Sequence, residues 1–153
     1  MDITQISKIF QPKQDLVRRF KDELKAAGVD IVEQPSPAKF FVAERNGSMV
    51  FVLAHESTDA RWWGLSCDQV EWIPQNDDVK SNRIKWGAAL LDGHPQKGYW
   101  IWGQDLSKLK ELRGATIDQA GRQYHLHGDE LDRHTNLVKS FFSIRQFLHT
   151  VGL

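Results

Sequence analysis

The stretch from Lys39 to Glu56, KFFVAERNGSMVFVLAHE, constrains the fold more than any other segment of the chain. Two extended, apolar-rich runs flank Asn46-Gly47. That dipeptide readily takes the positive φ values of a type I′ turn, whose twist matches that of paired strands. Phe41 and Ala43 share one face of the first strand, and Phe40, Val42 and Glu44 the other. After the turn, Val50, Val52 and Ala54 alternate with Phe51, Leu53 and His55. Both faces are apolar, so the hairpin is expected to be covered on both sides. A second run, Trp86 to Leu91, is continuously apolar, the signature of a strand buried on both faces. GHPQKG then turns the chain, and YWIWG is expected to pair back on that strand.

Helical spacing frames this extended middle. Ile3, Ile6, Ile9 and Phe10 recur at helical intervals behind Asp2, and Pro12 ends that pattern. From Lys13 to Ala27 the set Leu16, Val17, Phe20, Leu24 and Ala27 marks one face, and Gly28 stops the helix. Asp30 to Glu33 reads as a short edge strand, because the prolines at 35 and 37 remove backbone donors. WWGLS reads as a strand, CDQVEWI as a strand or a turn of helix, PQNDDVKSN as a loop, and LSKLKEL as a short helix after Asp105. Gln123 to His127 reads as a strand. Leu137, Phe141, Ile144 and Leu148, widened by Val138 and Phe142, predict a long final helix from about Asp129 to Thr150.

Adjacent strands framed by helices indicate an α+β fold. The expectation is a single domain over 1–153, with a mostly antiparallel sheet of about five to six strands. That sheet is expected to include Gln123–His127 and to be packed by the N-terminal helix and the long C-terminal one.

Charge narrows the function classes. Lys+Arg and Asp+Glu are 20 each, giving a net charge of zero. General nucleic-acid binders carry a basic excess, so this class is disfavoured, and self-association is unopposed by repulsion. Cys67 is the single cysteine, so no intrachain disulfide forms. The start has no signal-peptide pattern and no apolar run approaches a membrane span, so a cytoplasmic protein is expected.

The densest chemical signal is YHLHGDELDRH, from Tyr124 to His134. On a strand, His125 and His127 point the same way. On the following helix, Glu130 and His134 are i,i+4 neighbours. Three imidazoles and a carboxylate satisfy the donor requirement of zinc or iron if a turn at Gly128 folds them together. The same residues also suit a strand running into a capped helix, with carboxylates at its positive end. The bland reading takes precedence: no catalytic residue or cofactor is assigned, and a divalent metal on His125, His127, Glu130 and His134 is the alternative.

All six tryptophans lie between 62 and 102. Most are expected to fill the core. Trp62 and Trp63 must face opposite ways on a strand, and Trp63 and Trp102 are the expected exposed rings, able to recognise a partner.

The order of helix, hairpin, strand, helix and strand resembles the restriction-endonuclease-like nuclease core. That resemblance implies Mg²⁺ held by an acid on one strand and an acid-x-lysine triplet on the next. Glu56 and Asp92 end predicted strands, yet neither is followed by that triplet, and the Glu23-Leu24-Lys25 spacing falls inside a predicted helix. The main expectation is therefore a binding module that meets another protein or its own copy through an aromatic sheet surface. The alternative is a metal-dependent, nuclease-like hydrolase using the histidine cluster with Glu56 or Asp92.

Overall fold

The computed structural model describes residues 15–34, 40–57, 61–111, 115–117 and 121–153. The helix expected over Ile3–Phe10 and the prolines at 12, 35 and 37 lie outside them. The first described helix, α1 (Leu16–Ala26), buries Leu16, Phe20 and Leu24 and ends at Ala27, with Gly28 left-handed at φ 87°. Strand β1 (Asp30–Glu33) pairs with β2 (Phe40–Arg45), and β2 with β3 (Ser48–Glu56). Asn46 and Gly47 take φ 53° and 82° at the hairpin turn.

The chain then leaves this sheet. Strand β4 (Trp62–Ser66) runs into α2 (Cys67–Trp72), a 3₁₀ turn (Ile73–Gln75) and α3 (Asp77–Lys80). Strand β5 (Lys85–His94) returns beside β3 in parallel and turns into β6 (Lys97–Trp102). Helix α4 (Gly103–Glu111) leads to β7 (Ala115–Ile117) and β8 (Gln123–His127). A single-turn helix α5 (Gly128–Leu131), strand β9 (Val138–Phe141) and helix α6 (Ile144–Val151) complete the chain.

The main sheet has six strands in the order β1-β2-β3-β5-β6-β9, antiparallel except for β3–β5. A second sheet, β4-β8-β7, lies over one face. Phe40, Phe51, Leu53, Trp86, Ala88 and Leu90 meet Trp63, Leu65 and Leu126 of this small sheet in one core. Phe41, Val52, Ala89, Leu91 and Trp100 meet α1 and α6 in the other. The strands with apolar character on both faces are thus the ones covered on both sides, and the α+β class stands.

Three expectations are corrected. Gln123–His127 does not extend the main sheet but pairs with β4 and β7. The long C-terminal helix is broken into α5, β9 and α6. Strand β6 needs a partner on its open side, since its buried backbone would otherwise keep unpaired polar groups. Val138–Phe141 supplies it, with Val138 buried in one core and Phe141 in the other. Ser143 then restarts the helix: its hydroxyl accepts from Gln146 N at 3.1 Å, while Gln146 Oε1 accepts from Phe142 N at 2.7 Å.

The third correction is Trp63, expected to be exposed. It is 0% exposed, opposite Leu126, with its indole N–H donating to the Leu91 carbonyl at 3.0 Å. Trp62 and Trp63 do face opposite ways, but Trp63 is the inner one. It pins the small sheet to the main one.

Candidate functional site

Because β3 and β5 are parallel with Glu56 opposite Leu91, Glu56 ends β3 beside Asp92, two residues before the end of β5, at one edge of the sheet. Ligands commonly meet the carboxyl ends of parallel strands, where backbone groups are released from the ladder. Asp92 follows the Leu90 side of β5, towards the small sheet, whereas Glu56 follows the other side.

Arg61 sits over this edge. It enters β4 with φ 56°, an uncommon conformation for arginine. Its Nη2 lies 2.9 Å from Asp132 Oδ2 and also donates to the Tyr99 hydroxyl. Its Nε faces Asp92 Oδ2 and its Nη1 faces Asp129 Oδ1, each at 3.5 Å. The Tyr99 hydroxyl donates to Asp132 Oδ1 at 2.8 Å, closing a ring of three side chains. The Arg61 carbonyl accepts from Gly128 N at 2.8 Å, which fastens the start of β4 to the start of α5.

The electrostatics follow from these contacts. Hydrogen bonds from Arg61 and then Tyr99 hold the Asp132 carboxyl below its ordinary range. Burial pushes the Tyr99 phenol up to about 12, aided by its bond to Asp132 and opposed by the Arg61 charge. Arg61 is raised chiefly by its bond to Asp132. The neutral phenol is therefore the form the fold favours. Stability from this group is complete below about pH 10, where an unfolded tyrosine ionises, and is lost as the pH rises towards the folded value. Urea midpoints at about pH 9 and about pH 11 should show this loss in the native protein, and it should shrink in Tyr99→Phe.

Three carboxylates around one guanidinium leave the cluster negative overall. The oxygens are spread along a planar fork, on three different nitrogens. A divalent ion instead needs its oxygens gathered within roughly 2.0–2.6 Å of one point. Among the described residues no group of three or more His, Cys, Asp or Glu side chains is placed to hold a metal ion. As arranged, the cluster does not fit a divalent ion; Arg61 supplies the positive charge.

Gly128 shows how closely the backbone is fitted to that arginine. A Cβ there would lie 2.6 Å from Arg61 Cζ and Nε. The guanidinium end can move, whereas the backbone cannot, so Gly128→Ala should expel Arg61 from its carboxylates while the fold persists. The expected result is a stability loss of about 1 kcal/mol and a Tyr99 titration shifted from the native one. An unchanged Tyr99 titration would show that the guanidinium had stayed in place.

The residues singled out in the sequence are distributed differently. His125 and His127 share one face of β8, as expected, but the Trp62 ring lies against both, at 4.9 and 6.1 Å between centroids. Helix α5 ends at Leu131, so His134 lies beyond it, its N–H on the Leu131 carbonyl at 3.1 Å. Glu130 and His134 are therefore not neighbours on one helical face. Trp102 is half-buried, its ring 5.1 Å from that of Trp100. Of Glu56, Asp92 and Glu130, Asp92 is the acid that the cluster includes, through its ion pair with Arg61 Nε. Sequence reading missed Arg61, Tyr99 and Asp132. The YHLHGDELDRH stretch contributes Asp129 and Asp132 to this cluster, whereas the reading from sequence had singled out its histidines and Glu130.

No protein-family model and no curated protein matches the sequence. The fold is similar to that of a Holliday junction resolvase from the archaeal hyperthermophile Archaeoglobus fulgidus. The TM-score is 0.53 and the identity 14%, over 90% of this chain and 93% of that one. At this identity the likeness is one of fold. This overturns the reading as a module that binds proteins or itself through an aromatic sheet surface. The main sheet's faces, where that surface was expected, are the two cores. It also removes the ground for setting nucleic acid aside, since zero net charge does not exclude a local site. No helix among the described residues is long and apolar enough to cross a membrane.

Proposed function

We propose that the protein is nuclease-like and acts on nucleic acid at the carboxyl ends of β3 and β5. The observation that carries this reading is the convergence of Arg61, Tyr99, Asp92, Asp129 and Asp132 on that edge of a nuclease fold. Arg61 is the group suited to a phosphate, because its planar fork can meet two oxygens at once. Tyr99 and Asp132 are positioning residues: they hold the guanidinium at this edge in the unbound protein. The surplus negative charge rejects a phosphate unless Arg61 swings away from its carboxylates, so binding should be weak on smooth duplex. Branched forms are expected to bind more tightly, since the protein of similar fold is a Holliday junction resolvase.

The resemblance to the nuclease core supports a cleavage reaction, but no acid-x-lysine triplet follows Glu56 or Asp92; Glu23-Leu24-Lys25 and Asp78-Val79-Lys80 have the spacing and lie on helices α1 and α3. The test therefore measures binding and cleavage separately. A labelled four-way junction, a forked duplex and a linear duplex are titrated at low salt with Mg²⁺, with Mn²⁺ and with chelator. The expected result is tighter binding to the branched forms. Absence of binding to all three, in every condition, contradicts the proposal.

A further inference from the structure

We propose that a groove at the other end of the main sheet is a nucleotide-binding site that takes a planar base and its phosphate. The groove has a volume of about 300 Å³ and is lined by Pro74, Asn82, Lys85, Trp86, Trp102 and Gln104, among others. It lies between the start of β5 and the start of α4. The span of β5 from Lys85 to Asp92, roughly 23 Å at the usual rise per residue, separates it from Arg61. The size falls at the lower end of ordinary small-molecule sites, which are mostly apolar with a few placed polar groups.

Its two indoles are fixed by packing. The Trp86 ring lies flat against Gly103, where a Cβ would come within 2.1–2.6 Å of the indole atoms. The Trp102 ring is braced nearly at right angles by fully buried Trp100, at 5.1 Å and 86°. The two rings lie on opposite faces of the main sheet, so the groove wraps around its end, and half-buried Trp102 is the ring a flat, polarisable ligand can stack on. The cation is Lys85, whose Nζ stands 5.7 Å from the centre of the Trp102 ring. Lys85 is exposed and makes no ion pair among the described residues, whereas neighbouring Arg83 is held by Asp78 at 3.1 Å.

A base that stacks on Trp102 displaces an exposed ammonium from the ring. That exchange is favourable, because base–indole stacking outweighs an exposed cation–π contact. The displaced Lys85 is then free for the phosphate. The amides of Asn82 and Gln104, both donor and acceptor, border the groove and suit the edge of a base. The ligand chemistry is thus a nucleotide, free or unpaired within a strand. The second source deepens the proposed function, since branched nucleic acids carry unpaired nucleotides, and it rests on that reading; the groove itself does not.

The experiment follows the indole N–H resonances of isotope-labelled full chain by NMR. Adenosine 5′-monophosphate, adenosine, inorganic phosphate, a duplex with one unpaired nucleotide and a fully paired duplex are added in turn. The Trp86 and Trp102 indoles are expected to shift with the nucleotide or with the unpaired duplex, and that of Trp63 to stay. Trp102→Ala should weaken binding about tenfold or more. Lys85→Ala and Gln104→Ala, both at exposed positions, keep the test valid if Trp102→Ala loses its fold. Lys85→Ala should abolish the preference for the nucleotide over adenosine. Unmoved Trp86 and Trp102 indoles with both nucleotide sources overturn the inference, as does adenosine binding as tightly as its monophosphate. Arg61→Ala should leave the response to free monophosphate intact, so failure here and failure of the proposed function are told apart.

Discussion

Replacing Trp63 by alanine should lower the free energy of unfolding by about 3–5 kcal/mol, the range for deleting a fully buried aromatic side chain. The ring is completely enclosed, meets Tyr99 edge-on at 5.7 Å and carries the hydrogen bond to Leu91 that ties the two sheets together. Its loss leaves a cavity between the sheets and removes the bond to the Leu91 carbonyl. The cluster should loosen at the same time, because Trp63 stands two residues from Arg61 and against Tyr99. Urea unfolding measures the effect, with Trp72→Ala as the control. Trp72 is 40% exposed and should cost far less. Equal losses in the two variants would show that the small sheet is not anchored through Trp63.

Arg61→Ala should have the largest effect on function. Nucleic-acid affinity should fall about tenfold or more, the scale of a lost charge-assisted phosphate contact. The variant also leaves Asp92, Asp129 and Asp132 without their common counter-charge, so the edge becomes more repulsive to phosphate. The stability loss should be smaller, about 1–2 kcal/mol, because the Arg61 side chain is 38% exposed and solvent screens much of its pairing. Arg61→Lys should recover part of the stability and little of the binding, since an ammonium cannot grip two phosphate oxygens with one planar fork. Binding curves and urea curves on the same preparations check both. Undiminished affinity in Arg61→Ala would exclude this edge as the phosphate-facing one.

The parts legible in the sequence were those fixed by local chemistry. Asn46-Gly47 set the hairpin through its φ preferences, Gly28 ended α1, and the unbroken run from Trp86 to Leu91 announced a strand covered on both faces. The C-terminal third was misread because Leu137, Val138, Phe141 and Phe142 happen to fall at helical spacing. The demand that overrode this pattern came from elsewhere in the chain, the unpaired side of β6. One local clue was present, the Ser143 and Gln146 capping pair, which marks a helix beginning well after Asp129. The Arg61 cluster was illegible for a similar reason. Its members come from the start of β4, from β5 and β6, and from the turn after α5, and nothing in their own neighbourhoods links them. Only the parallel β3–β5 pairing and the overlying small sheet bring them together.

The most direct test of the central claim is where nucleic acid touches the protein. A four-way junction substituted with photoreactive bases is crosslinked to the native chain, and the attached peptides are identified by mass spectrometry. Crosslinks are expected within 55–57, at Arg61, or within 92–99 or 128–134, the described residues that border the Arg61 cluster. Crosslinks absent from all of these contradict the account.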